Sequence, residues 1–122
     1  MAANGIFYVS VYVSDLNRSK QFYGDLLGWK LGTNEEHVAG YHFGSGYLVV
    51  LADNRSEDAR EYAGGMHVAV KVSDVAAEHS RLKALKASVG NLVEQPWGEK
   101  SFSITDPDGY AWSYSQDPES VA

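Results

Sequence analysis

The chain of 122 residues contains an internal repeat, and this repeat constrains the possible folds more than any other sequence feature. Residues 11–16 read Val-Tyr-Val-Ser-Asp-Leu, and residues 70–75, at an offset of 59, read Val-Lys-Val-Ser-Asp-Val. Near the ends of the halves, Gly46-Tyr47 matches Gly109-Tyr110 at an offset of 63. The difference between the offsets predicts an insertion in the second half, near residues 95–98. Two matches in the same order predict two copies of one structural unit.

The residue pattern of each copy predicts one strand, one helix and about three further strands. Alternation of apolar and polar residues along 8–13, and again along 67–72, is typical of a strand whose valines share one face. A helical pattern follows Asp15 and ends at Gly28 in the first copy, and a second one follows Asp74 and ends near Gly90. Further strands are predicted at 38–43, 46–52, 92–94, 101–105 and 110–116.

These elements predict an α+β fold of two tandem βαβββ modules. The first module covers about 6–52, a polar connector covers about 53–65, and the second module covers about 66–116. The length matches one domain of residues 1–122.

Composition and charge exclude several classes of protein. The absence of cysteine excludes disulfides, thiolate nucleophiles and sulfur-ligated metal sites. A net charge of −6 disfavours nucleic acid as a partner. The longest apolar run, residues 47–52, is too short to cross a bilayer, and the N-terminal residues do not form an export signal. We therefore expect a cytoplasmic protein that does not engage membranes.

A set of short motifs runs along both halves of the chain: residues 13–16, Ser19, residues 22–23, 27–29 and 96–98, Phe102, and residues 106–109. Together these motifs resemble those of the vicinal oxygen chelate superfamily, which includes glyoxalase I, bleomycin-resistance proteins and extradiol dioxygenases. The resemblance covers about residues 6–116, and it implies that the two modules form a half-open, cup-shaped sheet and that the protein is a homodimer.

The resemblance also implies where a divalent metal would bind. Metal-dependent members of the family carry a donor seven residues before the aspartate of each Ser-Asp pair, which gives Tyr8 and His67 here. A second donor lies four residues beyond the glycine of the last turn, which gives Ser113, and the offset of 63 then gives Val50. One imidazole with Tyr, Ser and Val is a poor donor set for Ni, Zn, Fe or Mn. The sequence therefore predicts that no metal or other cofactor is required.

The same positions predict a ligand site lined by aromatic, apolar and hydroxyl side chains. His67 and Tyr8 are the candidate catalytic residues, His67 as an acid or base and Tyr8 as an acid or hydrogen-bond donor. The candidate ligand-binding residues are Tyr8, Ser10, Tyr12, Val50, His67, Trp97 and Ser113. They suit a small molecule that stacks on rings and is oriented by a few polar groups.

Other chemically suggestive residues have simpler interpretations. His42 is either a replacement metal ligand or a solvent-facing residue, whereas His37 and His79 are expected to be solvated. Trp29 and Trp112 are expected in the core. The Asp-Pro-Asp-Gly run at 106–109 predicts a tight turn whose carboxylates accept backbone hydrogen bonds.

Three functions remain open from the sequence. The first is metal-free binding of a small aromatic or cationic molecule. The second is a lyase, isomerase or dioxygenase that uses a divalent metal with non-standard ligands including His67, or that uses His67 and Tyr8 alone. The third is a dimerising interaction module.

Overall fold

The computed structural model describes residues 6–52 and 67–116, and the predicted connector at 53–65 lies outside them. The chain divides into two compact units, Met1–Tyr62 and Ala63–Ala122. Within the described residues each unit contains one helix region and a four-stranded sheet. The predicted α+β fold with two tandem βαβββ modules is confirmed.

In unit one, the first strand lies at the edge of the sheet and pairs in parallel with the last strand. Its strands pair in the order β1-β4-β3-β2, with β1 parallel to β4 and the other pairs antiparallel. The elements are β1 (Val9–Val13), α1 (Leu16–Lys20) with a π-helical continuation (Gln21–Leu26), β2 (Lys30–Asn34), β3 (Val38–Phe43) and β4 (Gly46–Ala52).

Unit two repeats this topology, with its strands in the order β5-β8-β7-β6. Strands β5 and β8 are parallel, and the other two pairs are antiparallel. The elements are β5 (His67–Lys71), α2 (Val75–Ala84), β6 (Val93–Glu94), β7 (Lys100–Thr105) and β8 (Ala111–Gln116).

The Ser-Asp pairs of the repeat begin the two helices. Asp15 Oδ1 accepts a hydrogen bond from Arg18 N at 3.2 Å, and Asp74 Oδ1 accepts one from Ala77 N at 3.0 Å. Each aspartate thereby satisfies a first-turn amide that has no partner within the helix. The repeated dipeptide is therefore a repeated helix cap.

Each helix covers one face of its own sheet. In unit one the covered face carries Val11, Val13, Tyr41, Leu48 and Val50, all buried. In unit two it carries Val70, Phe102, Ile104, Trp112 and Tyr114. Burial of aliphatic and aromatic groups on this side is the main stabilising contribution. The opposite face of each sheet, which the helix does not cover, carries polar and half-buried side chains.

Two elements differ from the sequence prediction. Strand β2 was not predicted, because Lys-Leu-Gly-Thr-Asn lacks alternation and forms an exposed, irregularly paired edge. Helix α2 ends at Ala84 rather than near Gly90, since Lys86 adopts a left-handed conformation with φ 63°. Gly90 instead pairs with β7, where its N–H donates to Ser103 O at 2.8 Å.

Candidate ligand-binding site

The uncovered face of the unit two sheet carries a hydrogen-bonded serine–histidine pair. Ala69 of β5 is the direct neighbour of Ser113 on β8, and His67 lies two residues earlier on the same face as Ala69. His67 Nε2 and Ser113 Oγ are 2.7 Å apart. His67 is exposed and Ser113 is half-buried, so this pair is accessible to solvent. The structure thus brings together two predicted site residues that lie 46 positions apart in the sequence.

A cavity of about 330 Å³ lies within unit two, on the same part of the sheet. Two of its lining residues flank Ser113. Ala69 is the neighbour of Ser113 on the adjacent strand β5, and Ser115 lies two residues further along β8. Its residues come from β5, from β8 and from the segment before β7, and they are Ala69, Val70, Lys71, Trp97, Glu99, Ser115 and Gln116.

Trp97 is held at this cavity by a tight turn. Gly98 N donates to Gln95 O at 2.8 Å, and Gln95 N donates to Glu99 O at 2.7 Å. Gly98 has φ 97°, a conformation that side-chain-bearing residues rarely adopt. The indole Nε1 donates to Glu99 Oε1 at 3.0 Å, although 66% of Trp97 is exposed. An exposed indole is therefore fixed in place with a carboxylate at its edge.

The uncovered face of the unit one sheet is aromatic instead. Tyr47 Oη lies 2.9 Å from Thr33 N and 2.8 Å from Thr33 Oγ1, so the ring spans from β4 to β2. It crosses Gly40 and Gly32, where an added Cβ would meet the Tyr47 ring or hydroxyl. The exposed His42 packs against the ring at a centroid distance of 4.7 Å. His42 therefore lies on the sheet face opposite α1.

Ser10 and Tyr12 lie on the predicted face of the first strand, whereas Tyr8 lies just outside the strand that was predicted to include it. Ser10 and Tyr12 lie on β1 with their side chains opposite the buried Val11 and Val13, and Tyr8 directly precedes the strand. All three are exposed, and the ring of Tyr8 lies 5.5 Å from that of Phe7.

The predicted position of Val50 requires a correction. Val50 pairs with Val11 and is fully buried, so it faces α1 and cannot line the opposite face. At the offset of 59, Val11 corresponds to Val70. Because Val11 pairs with Val50 and Val70 pairs with Tyr114, Val50 is the equivalent of Tyr114, at an offset of 64. The match of Gly46-Tyr47 to Gly109-Tyr110 was wrong by one residue. The equivalent of Ser113 is Val49.

His37 and Trp112 have the predicted environments, whereas His79 and Trp29 do not. His79 is not solvated, because its Nε2 lies 2.9 Å from Gly90 O and its ring packs 5.0 Å from that of Phe102. His37 is exposed beside Glu36. Trp112 is fully buried, as predicted, whereas Trp29 is only half-buried between Tyr23 and Phe43.

The turn at 106–109 has the predicted structural role. Asp106 Oδ1 accepts hydrogen bonds from Asp108 N at 2.9 Å and from Tyr110 N at 2.8 Å. Asp106 and Asp108 are buried, so neither carboxylate is presented as a surface acid. In the core of unit one, burial, assisted by the negative charge of Asp25, raises the pKa of Tyr41.

The residues at the metal positions of the family do not fit a divalent ion. With the corrected register, these positions hold Tyr8 and Val49 in unit one, and His67 and Ser113 in unit two. Across residues 6–52 and 67–116, no group of three His, Cys, Asp or Glu side chains is arranged to hold a metal. A single imidazole cannot replace the three or four nitrogen and oxygen donors that such ions require.

The fold defines a class of protein with tandem βαβββ modules, in which the sheet faces not covered by helices carry the candidate sites. The chain belongs to the Glyoxalase/Bleomycin resistance protein/Dioxygenase superfamily, whose model matches residues 5–114. In residues 6–52 and 67–116, no helix is both long and apolar enough to span a membrane.

The proteins to which this chain is similar differ in function. The chain is 31% identical to a lactoylglutathione lyase of Haemophilus influenzae over 86% of this chain and 87% of the relative. It shares its fold with a lactoylglutathione lyase of Agrobacterium tumefaciens, with a TM-score of 0.79, 21% identity and coverage of 94% and 95%. It also shares its fold with an antibiotic-binding protein of Streptomyces sp. CB03234, with a TM-score of 0.76, 22% identity and coverage of 95% and 98%.

Several residues of the candidate site were missed by sequence reasoning. Lys71 and Glu99 line the cavity, and Glu99 also orients Trp97, yet neither was a candidate. Alternation along β5 placed Lys71 on the correct face, which was a usable signal. Glu99 gave no such signal, because its contact depends on the turn around Gly98.

Proposed function

We propose that this protein binds a small planar cationic molecule at the Trp97 cavity of unit two, without a metal ion. The observation that carries the proposal is the Trp97–Glu99 pair, an exposed indole that donates a hydrogen bond to a carboxylate, both in the lining of a cavity of about 330 Å³. Ligand sites of about this volume commonly combine ring surfaces with a few polar groups.

The ligand chemistry follows from the lining. The face of an indole attracts cations and flat rings, and a carboxylate at its edge adds a charge-assisted partner for a protonated amine. Lys71 and the hydroxyl of Ser115 suit an acceptor oxygen elsewhere on the ligand. The net charge of −6 favours the approach of a cation. An antibiotic-binding protein of the same fold makes this class of function available to the scaffold.

Other sequence predictions belong to the same proposal. Within unit one, Tyr8, Ser10 and Tyr12 contribute ligand contacts of their own. The protein is a homodimer in the cytoplasm, and residues 1–122 act as a single domain. Val50 is excluded by its burial, and Val49 takes its place.

A fluorescence titration tests the proposal with proflavine, a planar cation, in the presence of EDTA. We expect saturable binding of proflavine and at least about tenfold weaker binding of the planar anion fluorescein. Trp97→Ala and Glu99→Gln should each weaken proflavine binding by about tenfold or more, because they remove the stacking surface and the anionic partner.

Glu94→Gln is the matched control for Glu99→Gln. It removes the same charge from an exposed carboxylate in the neighbouring strand β6, outside the cavity lining, so we expect less than about a twofold change. The proposal fails if proflavine does not bind, or if neither Trp97→Ala nor Glu99→Gln affects its affinity.

A metal-dependent lyase is the second candidate function. The 31% identity to a lactoylglutathione lyase favours it. The residues at the metal positions of the family oppose it, because Tyr8, Val49, His67 and Ser113 include one imidazole and no carboxylate. Lewis-acid catalysis needs a tightly held ion. Calorimetric titration with divalent metal ions separates these two functions, because only the lyase requires a tightly bound ion.

A further inference from the structure

The Ser113–His67 pair has a geometry that ligand binding alone does not require. Its Oγ–Nε2 distance of 2.7 Å is that of a strong hydrogen bond between a hydroxyl and an imidazole. The backbone ladder between β5 and β8 already joins the two strands, and the exposed His67 ring does not pack in the core. We infer that Ser113 is a nucleophile that accepts an acyl group from small carboxylic esters, with His67 as its general base.

The chemistry follows from the orientation of the pair. When the imidazole proton resides on Nδ1, Nε2 accepts the Ser113 hydroxyl proton, which is the arrangement of an activated serine. Ser113 Oγ attacks the ester carbonyl carbon while its proton moves to His67 Nε2. The C–O bond to the alcohol then breaks, and His67 returns the proton to the departing alkoxide. Water hydrolyses the acyl-serine by the same route and restores the hydroxyl, so no oxidant, reductant or metal is consumed.

The surroundings define the class of ester. Ser113 itself does not line the Trp97 cavity, but Ala69 and Ser115, which flank it, do, so the cavity adjoins the serine. Lys71 lies on the same face of β5 and adds positive charge, which favours the negative charge that develops on the carbonyl oxygen. These features suit short-chain esters of aromatic alcohols. The inference goes beyond binding, and it does not need the cationic ligand of the proposed function.

The test uses p-nitrophenyl acetate with the full chain in EDTA. Release of p-nitrophenolate is followed, and the acetylated residue is located by peptide mass spectrometry. We expect acetylation at Ser113 and a rate constant about 100-fold lower in both Ser113→Ala and His67→Gln, a typical loss when a nucleophile or its base is removed. His67→Gln retains a polar side chain, and circular dichroism checks that both variants are folded.

Ser103→Ala is the matched control. Ser103 on β7 pairs directly with Ser113, shares its sheet face and is exposed, but the hydrogen bond of His67 Nε2 goes to Ser113 and not to Ser103. We expect its rate constant to stay within about twofold of that of the unmodified protein.

Two outcomes would overturn the inference. If Ser113→Ala retains the rate while His67→Gln loses it, the imidazole itself is the nucleophile. If acetyl groups occur on surface lysines and tyrosines but not on Ser113, the pair is structural. Neither outcome bears on proflavine binding, so failure here is distinguishable from failure of the proposed function.

Discussion

Replacing Gly40 with alanine is expected to lower the free energy of unfolding by about 2 kcal/mol, because the added methyl group displaces Tyr47. The Cβ would lie 2.5 Å from Cζ of Tyr47 and would overlap its hydroxyl. The ring must move away, and it then loses its hydrogen bonds to Thr33 N and Oγ1 together with its contact with His42. Urea unfolding of Gly40→Ala measures the loss.

The double variant makes this prediction specific. If Tyr47 is the cause, Gly40→Ala should cost less than about 0.5 kcal/mol in a Tyr47→Ala background, because alanine is better tolerated than glycine in a strand once the space is free. Equal costs in the two backgrounds would show that Gly40 is needed for another reason. Tyr47→Phe isolates the hydroxyl and should cost about 1 kcal/mol.

Asp106→Ala is expected to lower the free energy of unfolding by about 3 kcal/mol. The substitution removes one carboxylate oxygen that accepts two backbone hydrogen bonds, from Asp108 N and Tyr110 N, in a buried turn. Both backbone amides would then be buried without a hydrogen-bond partner, which is unfavourable. Asp106→Asn retains an acceptor oxygen and should cost about half as much. The measurement is again urea unfolding.

Asp74→Ala is the matched control for burial. Asp74 Oδ1 also accepts a backbone hydrogen bond, at the start of α2, but Asp74 is exposed. Water can replace it, so the expected loss is about 1 kcal/mol. A loss at Asp106 no larger than that at Asp74 would contradict the role assigned to the turn.

The fold was predictable because its signals are local and occur twice. The alternating valines and the capping aspartates each specify a short element in both units, and the repeat assigns them to equivalent places. The Asp-Pro-Asp-Gly run specifies a turn in unit two. Strand β2 was not predictable, because an exposed edge strand needs neither alternation nor β-branched residues.

The candidate site was only partly predictable for a different reason. A shift of one residue in register reverses the face of every side chain in a strand, so a repeat offset of 63 in place of 64 was enough to misplace Val50. His67 and Ser113 were placed correctly because both belong to unit two and were counted from motifs close to them. The Trp97–Glu99 contact depends on one turn conformation at Gly98, which the sequence does not specify.

Calorimetric titration of Ni, Zn, Mn and Fe(II) into chelator-stripped protein tests most directly the claim that this member of the family functions without a metal. We predict no stoichiometric binding tighter than about 10 µM, because the donor positions hold Tyr8, Val49, His67 and Ser113. His67→Ala is measured alongside and should give the same result. Stoichiometric binding tighter than about 1 µM that is lost in His67→Ala would contradict the claim and favour the metal-dependent lyase.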